Sequence, residues 1–159
     1  MLRIGLPFGD LFSSLDSWHP EEPLNLREMN FVHYDTTSLD LGLRPHTDYG
    51  FVTILDAASP GLQVEFDGVF HDVPVLDGHL VINFGEALRF ITAHAEQSVS
   101  AVTHRVLSQR AEDPVRQSVV YFGNPSLDGH LYQFDSSGDI HGSTSVAELF
   151  ALLEKNLTH

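Results

Sequence analysis

Residues 61–84 read GLQVEFDGVFHDVPVLDGHLVINF, and this stretch decides the fold class. Apolar and polar residues alternate through Leu62-Gln63-Val64-Glu65-Phe66, the run breaks at Asp67-Gly68, and a β-branched and aromatic run resumes at Val69-Phe70. A second break at Asp77-Gly78 precedes Val81-Ile82-Asn83-Phe84. Period-two alternation puts one set of side chains on each face of an extended chain, and Asp-Gly tolerates the backbone angles of a tight hairpin turn. The stretch predicts antiparallel strands joined by hairpins.

The same grammar continues on both sides. Runs at 30–34, 51–55, 99–107, 117–122 and 131–134 join those at 61–66, 69–75 and 79–84 to make about eight strands, with turn signals at Ser59-Pro60-Gly61, Asn124-Pro125 and Asp128-Gly129. A mainly β fold follows, an antiparallel sandwich or jelly roll with a few flanking helices. One short helix is expected over 85–94, where Leu88 and Ile91 stand three apart. Another starts at Ser145-Val146-Ala147-Glu148, which has the S-x-x-E form of a capping box ahead of Leu149, Phe150, Leu152, Leu153 and Leu157. The first forty residues carry Pro7, Gly9, Pro20 and Pro23 around an apolar run at 11–15 and read as helical fragments and loops. No repeat or linker divides the chain, so 1–159 is expected to be a single domain.

The chain has 159 residues with 22 Asp plus Glu against 8 Lys plus Arg, a net charge of −14. Eight basic residues cannot easily build the basic face that nucleic acid or an anionic membrane requires. The lack of cysteine removes disulfides, thiolate metal sites, Fe–S clusters and cysteine nucleophiles. No apolar run approaches the roughly 18–20 residues of a membrane span, and a soluble, cytoplasmic protein is expected. Gly-rich phosphate loops, H-E-x-x-H and G-x-S-x-G are absent from the sequence.

The chemistry-bearing candidates are histidines. Most of the ten, including His19, His71, His79, His130, His141 and His159, sit beside turn residues and suggest no special role. His46-Thr47-Asp48 differs, because His and Asp two apart on extended chain point the same way and can hold one cation together. Spacing alone is weak: with ten His and thirteen Asp, chance supplies about 0.8 such matches, and His33-Tyr34-Asp35 is indeed a second one. The surroundings separate the two. His46-Thr47-Asp48 stands at the mouth of the strand at 51–55, His104 lies on a later strand, and Arg116-Gln117-Ser118 puts a guanidinium and a hydroxyl on one strand face. Two His and a carboxylate can form a facial triad that leaves three positions of an octahedral Fe(II) open. Arg with a Ser hydroxyl makes a fork for a carboxylate. Taken singly, His104 reads equally as a core histidine and Arg116 as a surface charge.

The region from about residue 26 to 122 resembles the C-terminal part of the Fe(II)- and 2-oxoglutarate-dependent dioxygenases of the isopenicillin N synthase-like family. The pieces that carry the resemblance are His46-Thr47-Asp48-Tyr49-Gly50, Pro60-Gly61-Leu62-Gln63-Val64, Val73-Pro74, Leu80-Val81-Ile82-Asn83-Phe84-Gly85-Glu86, His104-Arg105-Val106, Arg116-Gln117-Ser118 and Asn124-Pro125, in family order. It implies a double-stranded β-helix, cupin-like, with His46, Asp48 and His104 as iron ligands and Arg116 and Ser118 on the distal carboxylate of 2-oxoglutarate. Tyr34 matches a family tyrosine that often contacts cosubstrate or substrate. With Tyr34 inward, period two turns His33 and Asp35 to solvent. The implied cofactors are Fe(II), 2-oxoglutarate as cosubstrate and O2. The implied reaction is oxidation of a small organic molecule, by default hydroxylation, with release of succinate and CO2. An oxidase of the same family that uses no 2-oxoglutarate and a non-catalytic cupin-like binding module are the alternatives. Asn30 and Asp35 stand where the family usually has Arg and Pro, and the family's usual N-terminal region is expected to be lacking. Two alternatives follow, a natural minimal enzyme, for which a homodimer is the expected cover of the bare sheet face, or a partial chain that keeps the motifs without that cover. Phe51, Leu55, Phe122 and Phe134 read first as core and second as pocket lining.

Overall fold

The computed structural model describes residues 28–35, 42–107 and 115–157. In chain order the described elements are β1 (Glu28–Asp35), β2 (Leu43–His46), β3 (Val52–Ala57), β4 (Leu62–Phe66), β5 (Val69–Asp72), β6 (Val81–Phe84), α1 (Glu86–Ile91), β7 (His104–Val106), β8 (Val115–Gly123), β9 (His130–Phe134), β10 (Ile140–Ser145) and α2 (Val146–Leu157). The Asp67-Gly68 signal folds as expected: both residues take positive φ, 50° and 75°, and pair β4 with β5 from Phe66–Val69 to Gln63–Asp72.

The strands form two antiparallel four-stranded sheets, β1-β8-β3-β6 and β2-β7-β4-β5, with β9-β10 as a separate hairpin. The chain passes repeatedly from one sheet to the other, which is the winding of a jelly roll. Leu55 from β3, Leu62 from β4 and Val106 from β7 are buried between the sheets, with Val81 and Val120 packed against them. A second cluster, Phe51, Ala87, Ile91, Leu131, Val146 and Leu149, joins both helices to the hairpin. Hydrophobic burial thus closes the barrel and seals one end of it.

The capping box forms in full. Ser145 Oγ donates to Glu148 Oε2 at 2.9 Å, the Ser145 amide donates to the same oxygen at 3.2 Å, and the Glu148 amide donates to Ser145 Oγ at 3.2 Å.

Several boundaries differ from the sequence expectation. The run at 99–107 is a strand only over His104–Val106, and the run at 69–75 ends at Asp72, two residues before Pro74. β2 and β10 have no counterpart in that expectation. β2 is LRPH, mostly exposed and interrupted by Pro45, and its register against β7 shifts between Leu43 and His46, so it has no alternation to read. β10 is IHGSTS, a run with one large apolar residue. The fragments expected before residue 28 lie outside the described residues.

The outer face of the first sheet is apolar. Met29 and Phe31 on β1 and Ile82 and Phe84 on β6 are exposed, Phe31 to 80%. The register places Ile54 beside Ile82 and Val52 beside Phe84, which continues the stripe across the sheet. Among the described residues no helix is long and apolar enough to cross a membrane.

Candidate metal centre

The β2–β7 ladder sets His46 directly opposite His104. Cross-strand partners bring their side chains together, and the two imidazole centroids lie 4.3 Å apart. Each ring is held from behind: His46 Nδ1 donates to the Arg44 carbonyl at 2.7 Å, and His104 Nδ1 donates to the Val102 carbonyl at 3.1 Å. With the proton on Nδ1, a neutral imidazole turns its Nε2 lone pair toward the site. Burial pushes the His46 pKa below its ordinary 6.5; the Arg44 carbonyl opposes this, His104 adds to it, and Asp48 opposes it. The ring therefore favours the neutral form that can ligate.

Asp48 follows two residues after β2 and is fixed by the start of α1. The amide of Glu86 donates to the Asp48 carbonyl at 2.8 Å, Ala87 donates to the Tyr49 carbonyl at 3.0 Å, and Gly85 donates to the Phe51 carbonyl at 3.2 Å. A side chain at position 85 would place its Cβ 2.7 Å from the Asp48 carbonyl oxygen, so glycine is what lets the helix start approach this loop. The Asp48 carboxylate is buried. Its Oδ1 lies 3.8 Å from His46 Nε2 and 3.7 Å from His104 Nε2. Its Oδ2 accepts from Thr53 Oγ1 at 2.5 Å and Asn83 Nδ2 at 2.7 Å.

The donor atoms of His46, Asp48 and His104 all lie within 4.8 Å of one another, the single such group of three among the described residues. Two imidazole nitrogens and one carboxylate oxygen on one face suit a divalent first-row metal with open positions, Fe(II) above all.

Arg116 and Ser118 point inward from β8, Arg116 with 1% of its surface exposed and Ser118 with 6%. Arg116 Nε donates to the Pro60 carbonyl at 3.2 Å, and Nη1 donates to Ser118 Oγ at 3.4 Å. Both residues line the same cavity, of about 110 Å³, as the three potential ligands. Its remaining wall is largely apolar, including Leu55, Leu62, Val106 and Phe122, so two of the four candidate pocket residues line it. Phe51 belongs instead to the helix and hairpin core.

Chain position brings the six expected site residues together in part. Five share the cavity; the backbone of Tyr34 stands opposite Arg116 in the β1–β8 ladder, and the contact expected of its side chain lies outside what the structure describes. His33 is exposed and lies 3.4 Å from Gln117 Nε2 through its Nδ1. Thr53 and Asn83, the two donors to Asp48 Oδ2, are positions that sequence reasoning did not single out. The available signal was a polar residue in the inward phase of an apolar strand, buried in the case of Thr53.

Residues 22–125 match the family model of the 2OG-Fe(II) oxygenase superfamily. The chain belongs to this superfamily. The matched segment contains His46, Asp48, His104, Arg116 and Ser118. A 1-aminocyclopropane-1-carboxylate oxidase of Prunus mume is 41% identical over 105 residues, covering 65% of this chain and 31% of that protein. The clavatol oxidase claD of Penicillium crustosum is 32% identical over 149 residues, 87% of this chain and 41% of its own length. The chain therefore spans less than half the length of these relatives. Among solved structures, a full-length Neurospora crassa protein in complex with alpha-KG superposes with a TM-score of 0.63 at 22% identity over 78% of this chain and 43% of its own. The rice dioxygenase for auxin oxidation superposes with a TM-score of 0.63 at 24% identity over 80% of this chain and 45% of its own. At these identities the superpositions show a shared fold.

Proposed function

We propose that residues 1–159 form one catalytic domain of a non-haem Fe(II)- and 2-oxoglutarate-dependent oxygenase that oxidises, most simply hydroxylates, a small organic molecule. The observation that carries this reading is the convergence of His46, Asp48 and His104 in the cavity that also holds Arg116 and Ser118. Bound Fe(II) supplies the redox chemistry, coupling the conversion of 2-oxoglutarate and O2 to succinate and CO2 with transfer of the second oxygen atom to the substrate.

The chain's own part is placement. His46 and His104 turn their Nε2 atoms toward the site because their Nδ1 atoms are tied to backbone carbonyls. Asp48 supplies the negative charge that favours a divalent cation. Arg116 and the Ser118 hydroxyl form the site for the distal carboxylate of the cosubstrate, where a buried guanidinium is worth far more than an exposed one. The backbone register, with Tyr34 opposite Arg116, supports the role expected of Tyr34 near the cosubstrate. The apolar wall keeps bulk water from the reacting groups.

A second reading, an oxidase of the same family that does not consume 2-oxoglutarate, draws on the 41% identity to a Prunus mume protein named as an oxidase. An anaerobic titration with Fe(II) and 2-oxoglutarate, followed by the visible charge-transfer band of the chelate, separates them. The first reading expects the band and, in air, stoichiometric succinate; iron bound with no band favours the second. No iron binding overturns both and leaves a non-catalytic barrel.

A homodimer that covers Met29, Phe31, Ile82 and Phe84 belongs to the proposal, supported by their exposure on one sheet face. A monomer by light scattering with no binding of an apolar dye removes it. A cytoplasmic location fits the need for ferrous iron in a reducing compartment, and cell fractionation tests it.

A further inference from the structure

The Asp48 carboxylate is used asymmetrically. One oxygen faces both histidines, and the other accepts two hydrogen bonds, from Thr53 Oγ1 on β3 and Asn83 Nδ2 on β6. These strands are neighbours in the first sheet, with Thr53 directly paired to Asn83. The two donors are therefore a cross-strand pair aimed at one acceptor, and Thr53 is itself only 5% exposed. A carboxylate oxygen has two in-plane lone pairs. Two donors at 2.5 and 2.7 Å engage both on Oδ2, whereas Oδ1 is the oxygen near the imidazole nitrogens.

We infer that Thr53 and Asn83 are positioning residues that restrict Asp48 to one metal bond, and so protect an open coordination position. This rests on the metal reading above. A carboxylate can bind a metal through one oxygen or through both. With two imidazoles and one oxygen, a six-coordinate ion keeps about three positions. With both oxygens it keeps about two, which a chelating 2-oxo acid would fill with no place left for dioxygen. Holding Oδ2 away from the ion is thus a condition for the reaction. It is met by groups whose hydrogen bonds go to the carboxylate itself.

The test counts open positions without turnover. Mn(II) is added to the whole chain, and its inner-sphere waters are counted by water-proton relaxation. Wild type is expected to keep about three waters. The near-isosteric double variant Thr53→Val/Asn83→Leu is expected to lose about one of them, with its Mn(II) dissociation constant within about 100-fold of wild type. With 2-oxoglutarate bound to the Mn(II)-loaded protein, wild type is expected to keep about one inner-sphere water and the double variant none. Thr53→Ser, which keeps the hydroxyl, should retain the wild-type count. If the double variant does not fold, Thr53→Val and Asn83→Leu singly carry the test, each lowering the count in the same direction. An unchanged water count in the folded variants overturns the inference, as does complete loss of Mn(II) in a folded variant, which marks a purely structural role. A wild type that takes no Mn(II) overturns the metal reading itself, and this inference falls with it.

Discussion

Two tripeptides in this chain share the pattern His-x-Asp, His33-Tyr34-Asp35 and His46-Thr47-Asp48, and the fold gives them opposite environments. His33 lies exposed on the edge strand β1 beside the side chain of Gln117. His46 closes β2 opposite a second histidine, is backed by the Arg44 carbonyl, and faces a carboxylate whose far oxygen is held by Thr53 and Asn83. The difference teaches that the tripeptide is the smallest part of a metal site. What makes one is the cross-strand partner and the layer of donors behind it.

The largest expected effect removes that partner. His104→Ala should weaken Fe(II) or Mn(II) binding by at least about 100-fold, since one of three ligands is lost while a two-ligand remnant persists. Anaerobic isothermal titration measures it. Metal affinity preserved in this variant would put the ion elsewhere and dissolve the contrast between the two tripeptides.

A smaller and more selective effect is expected on β8. Arg116→Met should raise the dissociation constant for 2-oxoglutarate about 10- to 100-fold, the worth of charge-assisted hydrogen bonds of about 1.5–3 kcal/mol, and leave metal affinity unaffected. Equal 2-oxoglutarate affinity in both forms would refute the role of Arg116. Equal losses of metal and cosubstrate would show that the variant has disturbed the cavity as a whole.

The third effect is graded with pH. Burial holds the His46 pKa in the folded chain below the ordinary 6.5. Between that depressed value and about 6.5 the unfolded chain binds a proton at this position that the folded chain does not, so metal-free stability rises with pH across the window and falls as the medium is acidified. Above the window the contribution is constant. Chemical denaturation of the metal-free protein at a series of pH values should show this slope, and His46→Gln should flatten it. A slope of the same size in His46→Gln would assign the effect to other groups.

The comparison also shows how far the sequence could be read. Asp67-Gly68 and the Ser145/Glu148 capping box are local signals whose partners lie within a few residues, and both form as written. His46, Asp48, His104, Arg116 and Ser118 were legible because their residue types and order matched a known family pattern. Thr53 and Asn83 were not assigned a role, because their meaning depends on the β3–β6 register and on Asp48 lying 35 positions before Asn83. β2 stayed hidden for a related reason. Its four residues lack alternation, and only its pairing with β7 makes a strand of Leu43–His46. Long-range pairing is a property of the folded chain that no short window contains.

The smallest effect is the one that guards the contrast. His33→Ala removes an exposed ring whose one described polar neighbour is a glutamine amide at 3.4 Å, so stability should change by less than about 0.5 kcal/mol and metal affinity should stay at the wild-type value. Thermal unfolding and metal titration of the same variant check both. The result is informative because β1 pairs along its whole length with β8, and its Tyr34 stands opposite Arg116. A variant that left metal binding intact but weakened 2-oxoglutarate would mean that the edge strand tunes Arg116 through this register. The first tripeptide would then belong to the site by its backbone, although its histidine never approaches the metal.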